Sequence, residues 1–186
     1  MFADLWKDFL RRFWWSILAV LILIGGIIGW YISSQTVVVS GYRVSQAAAK
    51  ATEYYAAGEI DKAQAAYKAI TKRQPRDWFA WNGLANIYRD RNQYGLAETA
   101  YLQALDINPK FEQGYRNVFN LYYSWSERDR DSAPLAKSEP VLLQGYKLLS
   151  KSVTILEDLI SYYAKINDQA KLTEYKEKLE TLRSEK

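Results

Sequence analysis

The 186-residue chain contains no cysteine and no histidine. Without thiols there is no disulfide framework and no thiolate nucleophile. Without imidazole as well, the usual zinc sites and the commonest general base are missing. The lack of cysteine fits any redox compartment. An excess of one charge is also missing: 25 basic residues face 21 acidic ones. The net +4 divides as +1 over residues 1–41 and +3 over residues 42–186. So mixed a balance gives no reason to expect nucleic acid. No phosphate loop, dinucleotide fingerprint or serine nucleophile elbow occurs. Asp129 and Asp131 alternate with arginines, which makes a self-neutralising segment rather than a calcium ligand set. The chain reads as a non-enzyme with no cofactor and no metal.

What is present begins with one long apolar run. Residues 13–32 are twenty consecutive uncharged residues, which at ~1.5 Å rise match the ~30 Å hydrocarbon core of a bilayer. Trp14 and Trp15 at one end, with Trp30 and Tyr31 at the other, stand where aromatic belts occur. A single transmembrane helix is the expectation. Lys7, Arg11 and Arg12 precede the run and no basic residue follows before Arg43. The positive-inside rule therefore predicts an inner-membrane protein with residues 1–12 as a cytoplasmic tail and the remainder periplasmic or extracytoplasmic. A cleaved signal peptide is the alternative, with Val38 and Ser40 as a processing site. Gly25 and Gly29 form G-x-x-x-G, either a helix–helix contact in lipid or ordinary composition. Residues 33–43, polar and β-branched with Gly41 near the end, read as a short extended linker.

Residues 78–110 carry the clearest structural code. Trp81, Leu84, Ala85 and Tyr88 fall on one helical face, and Ala97, Tyr101 and Ala104 continue the spacing after a polar turn. Pro109 closes the unit because proline cannot continue a helix. Small Ala85 and Ala97 alternate with large rings, the pattern of two closely packed helices. Thirty-four residues before Ala85, Tyr88, Ala97, Tyr101 and Pro109 stand Ala51, Tyr54, Ala63, Tyr67 and Pro75. Thirty-four after Trp81, Leu84 and Tyr88 stand Tyr115, Val118 and Tyr122. Five coincidences at one period indicate a repeat.

Trp81, Leu84, Ala85, Tyr88, Ala97, Tyr101, Ala104 and Pro109 reproduce the W-x2-L-G-x2-Y, A-x3-F/Y-x2-A and P pattern, and the chain resembles the tetratricopeptide repeat (TPR) family. The first repeat departs from it, with Ala47 and Lys50 at the tryptophan and leucine positions. The expected fold is all-α: a transmembrane helix followed by an α-solenoid of about 3.5–4 helix-turn-helix repeats over 44–186. Their expected bounds are 44–77, 78–111, 112–151 with an insertion at 126–140, and 152–186. Thr154 and Glu157 are a candidate capping box, and the charged last helix suits a terminal cap.

In the resembled family, positions two, five, nine and twelve of each first helix line the concave groove. Here these are Phe79, Asn82, Asn86 and Arg89, then Gln113, Arg116, Asn120 and Tyr123. An amide both donates and accepts, which suits Asn86 and Asn120 to holding a partner's backbone; ordinary polar surface is the alternative. Ala48 and Asn82 replace lysines of the family's carboxylate clamp, so an acidic chain terminus is not the expected ligand. The resemblance implies a scaffold for a protein or peptide partner in a cell-envelope secretion or assembly complex. The alternatives are chaperone-like holding of emerging chains and an accessory subunit of a membrane enzyme.

Overall fold

A computed structural model describes residues 17–18, 20–31, 33–39 and 41–185. The chain divides into two compact units between Lys50 and Ala51.

In the first unit, no helix among the described residues is long and apolar enough to cross a membrane. Within the apolar stretch the described residues 17–18 and 20–31 are helical, as are 33–34 just beyond it. Positions 13–16, 19 and 32 of the expected span lie outside the described residues, as do Lys7, Arg11 and Arg12. This corrects both the expected transmembrane helix and the single-pass inner-membrane localisation that rested on it. At Gly25 and Gly29, read as either a helix–helix contact or ordinary composition, an added Cβ would meet nothing within 4 Å.

The expected linker also differs. Thr36–Val39 (β1) pairs antiparallel with Tyr42–Ser45 (β2), Val38 opposite Arg43 and Val39 opposite Tyr42. The β-branched run favours the strand, and Gly41 at φ +80° supplies the turn conformation that side chains disfavour. The hairpin lies in the first unit, and the solenoid itself is all-α as expected. Helix α1, Gln46–Ala56, begins after the hairpin rather than at position 44. The Ser45 hydroxyl accepts from the Ala48 amide at 3.2 Å.

Beyond Lys50 the chain is a TPR-like solenoid. It continues through α2 (Ile60–Arg73), α3 (Trp78–Asp90), α4 (Tyr94–Ile107), α5 (Glu112–Asp129), α6 (Ala133–Ala136), α7 (Ser138–Leu148), α8 (Val153–Lys165) and α9 (Gln169–Ser184). Consecutive helices pack on one another, and α5 additionally meets α7 and α8. Ala63, Ala85, Ala97 and Ala104 are buried at the close approaches, beside buried Tyr67, Tyr101, Tyr115 and Tyr122. Gly83 has no substitute: an added Cβ would lie 2.3 Å from Cζ of Tyr67.

The period is visible in hydrogen bonds. Trp81 donates its indole N–H to the Pro75 carbonyl at 2.8 Å, and 34 residues on the Tyr115 hydroxyl donates to the Pro109 carbonyl at 2.9 Å. Thr52 with Tyr67 and Asn86 with Tyr101 form a second equivalent pair. Helix turns follow the same rule, since Gly58 (φ 76°) and Asn92 (φ 56°) are 34 apart and both left-handed.

The third turn breaks step. The period places it at position 126, but the left-handed residue is Arg130, φ 54°, so α5 runs about one helical turn further. The remaining additional residues form the α6 segment. By α7 the offset has grown from 34 to 41: Tyr122 donates to Glu98 at 2.9 Å, and Tyr163 to Glu139 at 2.8 Å. An extension close to one turn preserves the inward face of α5, so packing resumes beyond it. Ser152, not Thr154, caps α8 by accepting from the Ile155 amide at 3.0 Å.

Candidate partner-binding site

Helices α3 and α5 supply the face on which the sequence places a groove. On α3 that face is closed by its own bonds. Asn86 accepts from the Tyr101 hydroxyl at 2.5 Å, and Arg89 donates to the same oxygen at 3.2 Å. Arg89 also pairs with Asp90 at 3.0 Å, whose carboxylate accepts from Tyr55. Burial and that carboxylate push the Tyr55 hydroxyl up to about 12. Burial also raises the Tyr101 hydroxyl well above its ordinary range, so it stays a neutral donor. Asn82 accepts from Asn117 at 2.9 Å, which ties α3 to α5. Phe79 packs edge-on to Trp78.

On α5 the four expected residues separate. Gln113 is exposed and donates to Asn117 at 3.3 Å. Arg116 turns toward α8. Its Nε lies 2.9 Å and 3.2 Å from the two Asp158 oxygens, and its Nη2 reaches the Thr154 carbonyl and Glu157. Asp158 is only 5 % exposed. Burial outweighs Arg116, and with Glu157 and Glu112 nearby it raises the carboxyl to about 6. This ion pair is a joint between helices, and no sequence pattern signals it because its two residues are 42 positions apart.

Asn120 and Tyr123 remain, both exposed. Together with Phe119, Ser161, Ala164 and Lys165 they line an open cleft between α5 and α8 of about 540 Å³. Phe119 and Tyr123 meet edge to face at 6.1 Å, and the Lys165 ammonium sits 5.1 Å above the Tyr123 ring while pairing with Glu127 at 2.7 Å. One wall is therefore aromatic, the other carries a small residue, a hydroxyl and a cation, and Asn120 stands between them. Such a lining can grip an apolar side chain and bond the backbone next to it. Sequence reasoning misses the α8 residues, because the break in period after position 125 hides which fourth-repeat residues face Tyr123. Among the described residues no cluster of acidic groups is arranged to hold a metal ion.

Comparison with known proteins agrees with the geometry. Residues 48–110 match the family model described as Tetratricopeptide repeat. No curated protein is matched by the sequence. Among solved structures, a MamA RS-1 double mutant is similar at TM-score 0.59 and 16% identity, over 75% of this chain and 74% of its own. A thermophilic TPR protein of Thermus thermophilus gives 0.56 and 18%, over 74% and 73%. A chain of the APC/C hetero-tetramer Cut9–Hcn1 gives 0.57 and 15%, over 75% of this chain and 25% of that one. At these identities the likeness shows the fold alone, a TPR-like helical solenoid, of which residues 48–110 match the Tetratricopeptide repeat model.

Proposed function

We propose that the protein is an interaction scaffold that holds an extended segment of a protein partner in the α5–α8 cleft. The observation that carries this reading is the contrast at equivalent positions: Asn82 and Asn86 spend their carbonyls on internal bonds, whereas Asn120 and Tyr123 open onto a cleft. An apolar side chain seated against the Phe119–Tyr123 wall would supply most of the affinity, with Asn120 bonding the adjacent backbone. That a neighbour of the same fold was solved within the Cut9–Hcn1 hetero-tetramer supports a fixed partner over a changing set of clients. Assembly of a multi-protein complex is the role this suits.

The test is purification of the full-length protein from its own cells, alongside the Asn120→Ala/Tyr123→Ala variant and an Ala136→Ser control. A partner at fixed stoichiometry, retained by the control and lost from the double variant, is the expected result. A heterogeneous set of clients would favour chaperone-like holding instead. A partner retained by the folded double variant would remove the cleft from consideration.

A further inference from the structure

The solenoid carries a second cavity that the groove does not use. It lies among α4, α5 and α7, measures about 310 Å³, and is lined by Leu102, Leu105, Asp106, Pro109, Tyr115, Val141 and Gln144. Its floor is fixed. The Tyr115 hydroxyl donates to the Pro109 carbonyl at 2.9 Å, and the ring lies against Gly145, where an added Cβ would come within 2.7 Å of Cδ1. The ring is 1% exposed and can neither rotate out nor fill the space above it. The side walls are aliphatic, and Leu102 at the mouth is 37% exposed.

The mouth carries one ionised group. Asp106 is exposed, and among the described residues no cation pairs with it. The other polar liner, Gln144, is neutral. A pocket with aliphatic residues on its walls, polar groups beside them and a single unpaired carboxylate is complementary to a group with an apolar body and a cationic neighbour. The volume suits one leucine- or phenylalanine-sized side chain rather than a whole helix.

We infer that this cavity is a second docking site, which takes an apolar side chain flanked by an arginine or lysine from a partner polypeptide. The cavity sits where the 34-residue period ends, because the longer connection after α5 sets the spacing between α4 and α7. The regular α2–α4 step is built without that extension. Two separate sites along α5 would let one protein bridge two partners, or two segments of one partner.

The probes are two blocked hexapeptides, alanine throughout except for a central leucine–arginine in one and leucine–glutamate in the other. Each is titrated into the full-length protein while the methyl resonances of Leu102, Leu105 and Val141 are followed by NMR. The leucine–arginine peptide should shift these methyls saturably, and the leucine–glutamate peptide should bind at least several-fold more weakly. Asp106→Asn should weaken the first peptide about two- to fivefold, the range of a solvent-exposed ion pair. Val141→Phe, which fills the cavity from a half-buried position, should abolish the shifts while the far-UV spectrum is unchanged. No saturable shift at millimolar peptide would overturn the inference. So would equal binding of both peptides, or an unaltered affinity in Asp106→Asn. Shifts confined to the Ala164 methyl, recorded in the same spectra, would overturn it as well, while leaving the α5–α8 cleft intact as a site.

Discussion

The helices up to α4 and those from α5 onward use the same residue types for different ends. In the first region the period is exact, and polar groups on the groove face are bonded across helices at fixed offsets, as in Thr52–Tyr67 and Asn86–Tyr101. In the second region α5 overruns its repeat, Arg116 crosses to Asp158, and the equivalent face opens into the Asn120–Tyr123 cleft. Regularity closes the groove, and the break in it leaves a surface free. The cause is local: the offset between equivalent residues grows from 34 to 41 between Asn92 and Glu139, part of the added chain being helix and part α6.

The largest expected effect separates packed from loose small residues. Ala97 is fully buried between helices, whereas Ala136 is exposed. Ala97→Trp should cost about 3 kcal/mol or more by overpacking, and Ala136→Trp less than about 0.5 kcal/mol. Urea melts of both variants check this, and equal midpoints would mean that the two regions do not differ in packing as described.

Next comes the joint between α5 and α8. Asp158 has a folded carboxyl raised from 3.8 to about 6. A raised value means the folded state holds the proton more tightly, so the associated stability is complete below about pH 4 and is lost as pH rises through about 6. Compared with Asp158→Asn, which keeps an acceptor for Arg116 but cannot ionise, the wild type should lose up to about 3 kcal/mol between pH 4 and pH 8. Parallel pH profiles for the two proteins would show that Arg116 compensates the buried charge completely.

A smaller effect sits at Ser138, which takes the place of Ala97 at the offset of 41. Its hydroxyl is fully buried and bonds nothing among the described residues. Ser138→Ala should therefore stabilise the fold by about 1 kcal/mol. A fall in melting temperature would point to an acceptor that the hydroxyl reaches in solution.

The smallest stability effects distinguish the two asparagines. Asn86→Ala removes the acceptor of a buried tyrosine hydroxyl and should cost about 1 kcal/mol. Asn120→Ala, at the exposed cleft, should stay within about 0.5 kcal/mol. Matched thermal melts decide, and a reversed order would contradict the assignment of one to the fold and the other to the surface.

Much of this fold is legible in the sequence. The 34-residue recurrence of Ala51/Ala85, Tyr67/Tyr101 and Pro75/Pro109 sets the helix pairs, because alanine beside a large ring has one economical packing. Three features are not legible, for separate reasons. The hairpin at 36–45 depends on pairing that a spacer composition does not reveal. The extension of α5 through Asp129 reads as loop because SERDRD is charged, yet an exposed helix tolerates charge well. The amide row looks uniform because each asparagine shares one family position. Only the partner across the helix, a tyrosine for Asn86 and open space for Asn120, tells them apart. The apolar run 13–32 shows the reverse problem: hydropathy alone predicts a span, whereas no helix among the described residues is long and apolar enough to make one.

The central claim, that the cleft between α5 and α8 receives a partner while the α3 face does not, is tested most directly by photo-crosslinking. Benzoylphenylalanine replaces Tyr123 in one variant and Phe79 in another, both aromatic positions of the same expected row, and each full-length protein is irradiated in its own cells. A discrete adduct of one partner from position 123, with none from position 79, is the result expected. An adduct from position 79 and none from position 123 would contradict the account.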